Sequence, residues 1–97
     1  MLDDRTRALA LLKANHRFPV EYYLSVITVS EEAVFVAVRA AVEQGLPVPL
    51  GESAHVKTPS RGGKYTSHRF RVMCQTPEDV LLLYHRVKQV SGVVTVM

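Results

Sequence analysis

The stretch Ser60-Arg61-Gly62-Gly63-Lys64-Tyr65-Thr66-Ser67-His68-Arg69-Phe70-Arg71-Val72-Met73-Cys74-Gln75-Thr76-Pro77-Glu78-Asp79 decides the fold. Extended runs at Ala54 to Thr58 and Tyr65 to Cys74 flank Ser60-Arg61-Gly62-Gly63, and the glycine pair supplies the positive φ that a hairpin turn requires. Side chains alternate along a strand, so Thr66, His68, Phe70 and Val72 share one face and Tyr65, Ser67, Arg69 and Arg71 the other. Phe70 and Val72 assign the first set to the core. Thr76-Pro77-Glu78-Asp79 then starts a helix, with threonine as cap, proline at the first helical position and an acid three residues after the cap. Val80, Leu83, Tyr84, Val87 and Val90 form its apolar stripe, Ser91-Gly92 stops it, and Val93 to Met97 is a final strand.

The register of the hairpin stays open at this level. A two-residue turn pairs Arg61 with Lys64 and Lys57 with His68, putting Lys57 and His68 on the helix side and Val56 opposite Arg69. A bulged or longer turn reverses the facing of the earlier strand.

Working towards the N-terminus, Leu46-Pro47-Val48-Pro49-Leu50-Gly51 is a stiff loop. Before it, Ser30 is the expected N-cap of a helix running to about Gln44, with Glu31 and Glu32 in the first turn and Gly45 in the left-handed position after its end. Phe35, Val38, Ala41 and Val42 make the core stripe, and Val34, Ala37 and Ala40 widen it. Val20 to Val29 is dense in β-branched and aromatic residues and reads as a strand with Tyr22, Leu24 and Val26 on one face and Tyr23, Ser25 and Ile27 on the other. Apolar groups on both faces mark it as central. Asp3 to His16 is a short helix capped by Asp3 or Asp4, with a thin stripe of Ala8, Leu9, Leu11 and Leu12.

The order is a helix followed by β-α-β-β-α-β. The expected architecture is α+β: a ferredoxin-like βαββαβ sandwich, with a four-stranded antiparallel sheet, two helices on one face and the other face open. Residues 1–97 form one domain in this reading, 1–17 as a helical arm and 18–97 as the core. A length of 97 residues with 47% hydrophobic and 22% charged residues suits one packed core. The chain has no run of about 20 apolar residues for a membrane span. The acidic start Met1-Leu2-Asp3-Asp4 leads into no apolar signal-type segment, so the cytoplasm is the expected location.

Charge is unevenly distributed. The formal net charge is +3, yet Ser53 to Gln75 contains no acid and carries Lys57, Arg61, Lys64, Arg69 and Arg71. Such segregation bears on partners rather than on fold.

Phe18-Pro19, Lys57-Thr58-Pro59-Ser60-Arg61-Gly62-Gly63-Lys64-Tyr65-Thr66-Ser67, Leu83-Tyr84 and Val93 to Met97 together resemble the YbeD-like family of small bacterial proteins. The resemblance covers most of the chain from Phe18 onward, and the Pro-Ser-x-x-Gly-x-Tyr-x-Ser element is its most specific piece. It implies a fold similar to ACT-type amino-acid-binding regulatory domains, and no catalytic or ligand-binding residue carries over. The chain departs at Arg69 and Arg71, where small polar residues are expected.

Other chemistries find little support. Gly62-Gly63-Lys64 fails as a phosphate loop because Thr58 stands where its first glycine belongs and Tyr65 where Ser or Thr belongs. His16, His55, His68 and His85 include no i, i+4 pair, and His55 and His68, diagonal across the hairpin, lack a third ligand, so no metal or cofactor is expected. Cys74 has no arranged base and reads as a small buried side chain. No catalytic residue is assigned and an enzyme is not expected.

The expected function is that of a regulatory or adaptor domain binding a protein or small anionic ligand through the basic hairpin and open sheet face. Ser60, Arg61, Gly62, Gly63, Lys64, Tyr65, Arg69 and Arg71 are the candidate contacts. The alternative is an RNA- or nucleic-acid-binding module using the same face. Tyr23 and Ile27 on that face also make a homodimer conceivable.

Overall fold

The computed structural model describes residues 3–97; Met1 and Leu2 of the acidic start lie outside the described residues. Its elements are α1 (Asp4–Asn15), β1 (Val20–Val29), α2 (Glu32–Glu43), a 3-10 turn at Glu52–Ala54, β2 (His55–Pro59), β3 (Tyr65–Cys74), α3 (Pro77–Lys88) and β4 (Val93–Val96). The sheet order is β2-β3-β1-β4 with every neighbouring pair antiparallel, which is the ferredoxin-like arrangement plus an N-terminal helix. No helix among the described residues is long and apolar enough to cross a membrane.

Strand β3 organises the molecule. Its exposed and buried residues alternate without exception from Tyr65 to Cys74, so one face carries Thr66, His68, Phe70, Val72 and Cys74 into the core. Leu24, Val26 and Thr28 of β1 meet them across the ladder, and Val34, Val38, Ala41 and Val42 of α2 with Val80, Leu83 and Val87 of α3 close the layer above. A fully buried aromatic such as Phe70 contributes roughly 1.5–3 kcal/mol by transfer alone.

The hairpin has the register of the tight-turn alternative: Lys57 pairs with His68 and Val56 with Arg69. Arg61 and Lys64 are not themselves a ladder pair, because the last backbone bond joins Ser60 N–H to Tyr65 O at 2.8 Å. A wider turn of Arg61 to Lys64 thus preserves the register, with Gly63 at φ +76° and its N–H given to Ser60 O.

Helix α3 starts as its sequence demands. Thr76 Oγ1 accepts the Asp79 N–H and Asp79 Oδ2 accepts those of Gln75 and Thr76. At α1, Asp3 Oδ1 accepts the Thr6 N–H at 2.7 Å, a bond that holds this carboxyl below its usual range. No residue of α1 is buried, and Leu12 alone of its stripe packs against the core.

Helix α2 departs from expectation in three ways. Ser30 is not its cap: the Ser30 N–H bonds Lys64 O and its hydroxyl bonds Thr66 Oγ1 at 2.8 Å, so the residue is drawn into the sheet and Glu31 becomes the N-cap, without a side-chain bond. Gly45 is not left-handed; it is small because Arg86 lies on it, and a Cβ there would stand 2.8 Å from Arg86 Nη2. Ala37 and Ala40 are exposed, so the buried stripe is narrower than the run of small apolar residues suggests.

Candidate functional site

Among the described residues, no element of the chain covers the face of the sheet away from the helices. The pairing places Val56, Arg69, Ser25 and Met97 in one row across β2, β3, β1 and the residue after β4, with Arg71 beside Tyr23 in the next row. Arg69 and Arg71 therefore stand two residues apart on a central strand, amid exposed Val56, Tyr23, Met73 and Met97. A depression of about 420 Å³ lies over Ser25, Val56, Ser67, Arg69 and Met97. Among the described residues the ion pair that forms is Arg39 with Glu43 on α2, and none of Arg61, Lys64, Arg69 or Arg71 has a carboxylate within 4.0 Å.

At the hairpin tip two of the candidate polar groups bond within the turn itself. Ser60 Oγ accepts the Tyr65 N–H at 3.1 Å, and the Gly63 N–H is spent on Ser60 O, so both hold the turn together. Arg61 and Gly62 are exposed, and Lys64 Nζ sits 5.4 Å from the Tyr65 ring centroid, as a cation over an aromatic face. The tip and the Arg69–Arg71 face belong to one strand, and the tip offers charge rather than a formed cradle.

On the opposite face, sequence reasoning left two histidines without a role, and the structure joins them. Arg39 Nη1 lies 3.1 Å from His55 Nδ1, His55 Nε2 lies 2.9 Å from His68 Nδ1, and His68 Nε2 lies 3.0 Å from Thr28 Oγ1, which donates to Val29 O. A guanidinium only donates. Its direction therefore sets every later bond: each imidazole accepts at Nδ1 and donates at Nε2, and both are neutral. Each ring spends its one lone pair inside this chain, leaving none for a metal ion. His55 also stacks on Phe70, with centroids 4.1 Å apart. Burial first, and then the neighbouring cations, push the His55 pKa down to about 4, and burial lowers that of His68 as well.

The family model described as a protein of unknown function, DUF493, matches residues 13–97. The chain belongs to that family. No match is found among curated proteins. The segment shared with DUF493 takes in the whole four-stranded sheet, both covering helices and the cationic strand.

Cys74, at the inner end of β3 in this DUF493 domain, is buried. Burial, with Asp79 nearby, raises its thiol to about 11, against a smaller opposing effect of Arg86. It is expected to resist a thiol reagent at neutral pH in the native protein and to react fully in denaturant; rapid native-state labelling would contradict its placement. Tyr84 is likewise a packing residue: its hydroxyl meets that of Tyr22 at 3.1 Å, and burial raises its pKa.

Sequence reasoning missed a second concave region. The loop after α2, the end of β3 and the outer side of α3 enclose about 450 Å³, lined among others by Leu46, Val48, Leu50, Met73, Leu82 and Arg86. The two prolines of the loop were its one visible signal.

Proposed function

We propose that this domain is a non-catalytic binding module, a YbeD-like regulatory or adaptor domain of the bacterial cytoplasm, whose open sheet face captures an acidic surface of a partner protein. The observation that carries the reading is the pair Arg69 and Arg71, exposed on a central strand and with no carboxylate within 4.0 Å among the described residues. Apolar Val56, Tyr23 and Met97 around them supply the contact area that charge alone does not. A protein partner is favoured over a small anion because the donors at the hairpin tip do not converge on one point. It is favoured over a second copy because the open face carries two arginines, Arg69 and Arg71, against one acidic side chain, Glu21, so two copies meeting there bring an excess of like charge together. It is favoured over nucleic acid because arginines occupy the central-strand positions that stacking aromatics would need.

The test is capture from lysate by the wild-type chain and by the double variant Arg69→Glu/Arg71→Glu, with captured proteins identified by mass. The variant is expected to lose its partner by at least tenfold while its stability moves by less than about 1 kcal/mol, since both side chains are exposed. Undiminished capture overturns the assignment of the surface. Binding to single-stranded RNA that falls steeply with salt would transfer the same face to nucleic acid.

A further inference from the structure

The loop that follows α2 forms one wall of the cleft of about 450 Å³, and that wall is anchored at both ends. The Leu46 N–H donates to Glu43 O at 3.0 Å, the Leu50 N–H donates to Glu43 Oε2 at 2.8 Å, and Arg39 Nη2 donates to Leu50 O at 2.7 Å. Pro47 and Pro49 restrict the chain between these anchors. The cleft is therefore held by the chain's own bonds, and its volume is that of a site for a small organic molecule. Leu46, Val48 and Leu50 of the loop, Met73 of β3 and Leu82 of α3 make it apolar, and Val48, Met73 and Leu82 are exposed. An apolar group entering the cleft removes these side chains from water, which is the main source of affinity in such sites.

One cation is built into this lining. Arg86 of α3 reaches the end of α2, where its Nε donates to Ala41 O at 3.0 Å. Its guanidinium lies on Gly45: a Cβ there would stand 2.8 Å from Nη2, 3.2 Å from Cζ and 3.3 Å from Nη1. Gly45 is outside the left-handed region, so its missing side chain serves the arginine and not the turn. Among the described residues, Nη1 and Nη2 meet no acceptor within 3.5 Å. A guanidinium fixed through Nε and free at both Nη atoms offers a fork of donors that matches the two oxygens of a carboxylate. Arg71, also in the lining, adds positive charge. The acids of the lining are Asp79, whose Oδ2 accepts the Gln75 and Thr76 N–H groups, and Glu21, which pairs with Met73. Their carboxylates oppose a ligand carrying two negative charges.

We propose that this cleft binds a small amphipathic monocarboxylate, with its carboxylate on the Nη edge of Arg86 and its apolar tail against the Leu46–Leu50 loop, Met73 and Leu82. Apolar walls select the tail, and the one fixed guanidinium among them sets the orientation and the sign of the charge. Arg69, on the open face, does not line the cleft, so this inference stands apart from the reading of the domain as a protein-binding module.

The probe is octanoate, titrated into the full chain near neutral pH and followed by the backbone amide signals, with octanol, octylammonium and octyl phosphate as its neutral, cationic and more highly charged counterparts. Octanoate should saturate and shift the amides of Leu46, Leu50, Met73 and Leu82. Octanol and octylammonium should bind at least tenfold more weakly, and octyl phosphate no more tightly than octanoate. Arg86→Gln should weaken octanoate at least tenfold and leave octanol unchanged. Val48→Glu alters an exposed side chain, so the fold is kept, and the like charge it brings to the cleft should weaken octanoate at least threefold more than octanol. A titration without saturation, octanol or octylammonium binding as tightly as octanoate, or tighter binding of octyl phosphate overturns the proposal. So do shifts centred on Tyr23, Ser25 and Arg69, or octanoate affinity unchanged in both variants. Arg69→Glu should leave octanoate affinity within twofold, so partner capture probed by Arg69→Glu and octanoate binding probed by Arg86→Gln can each fail without the other.

Discussion

Lowering the pH from about 7 to about 4.5 is expected to cost the domain roughly 2 kcal/mol through His55 alone. The reason is the direction of the hydrogen-bond chain. Protonating His55 places an N–H at Nδ1 against the Arg39 donor, and protonating His68 places one against His55 Nε2–H. The charged groups facing the pair are Arg39 and Lys57, with Glu43 as the weaker opposing influence. In the unfolded chain an imidazole takes its proton near pH 6.5, and His55 in the folded domain takes it near 4. Between those values the unfolded state binds more protons, so stability falls as pH drops through that window and is fully present above it. His68, depressed in the same direction, adds to the loss. The measurement is the free energy of urea unfolding against pH. His55→Gln, which lacks the titrating group but can still accept from Arg39 and donate to His68, should flatten the curve. An equally steep fall in that variant would assign the acid sensitivity to carboxylates instead.

The second large effect belongs to Gly92. This residue has φ +96°, and a Cβ built on it would stand 2.6 Å from Val34 Cγ2 and 3.2 Å from Val29 Cγ2. Gly92→Ala therefore combines a backbone conformation that costs an L-residue about 1–2 kcal/mol with overpacking worth about 1–3 kcal/mol, for a total of about 3 kcal/mol. The two parts separate experimentally. Val34→Ala removes the nearest methyl groups without touching the backbone. In that background Gly92→Ala should cost only about 1 kcal/mol, the conformational part. Strictly additive losses would show that crowding by Val34 is not the constraint. The position matters because Gly92 O accepts the Val29 N–H, joining the turn after α3 to the central strand.

Both effects depend on features that pattern reading reaches only in part. The alternation of β3 was legible because a strand with one buried face must repeat every two residues, and Thr66, His68, Phe70 and Val72 keep that phase against Arg69 and Arg71. The start of α3 was legible because the groups that cap it are adjacent in the chain. The burial of Ala37 and Ala40 was misread because alanine, small and weakly apolar, suits either side of a helix. Ser30 was misread because two partners compete for it, and Thr66 and Lys64 of β3 prevail over the first turn of α2. The candidate residues of the hairpin divide similarly. Their charge was readable from composition; the consumption of Ser60 Oγ and the Gly63 N–H within the turn was not.

Local order alone determined the sequence of elements, the inner and outer faces of β1 and β3 and the cationic character of β3, since each follows from residues within a few positions of one another, whereas the facing of β2 waited on the register of the hairpin. Tertiary structure alone decided the polarity of the Arg39–His55–His68–Thr28 chain, the seating of Arg86 on Gly45 and the end of β2 short of Arg71. These depend on groups remote in sequence meeting within about 3 Å, where hydrogen-bond direction and excluded volume are set by the packed fold and leave no periodic trace along the chain.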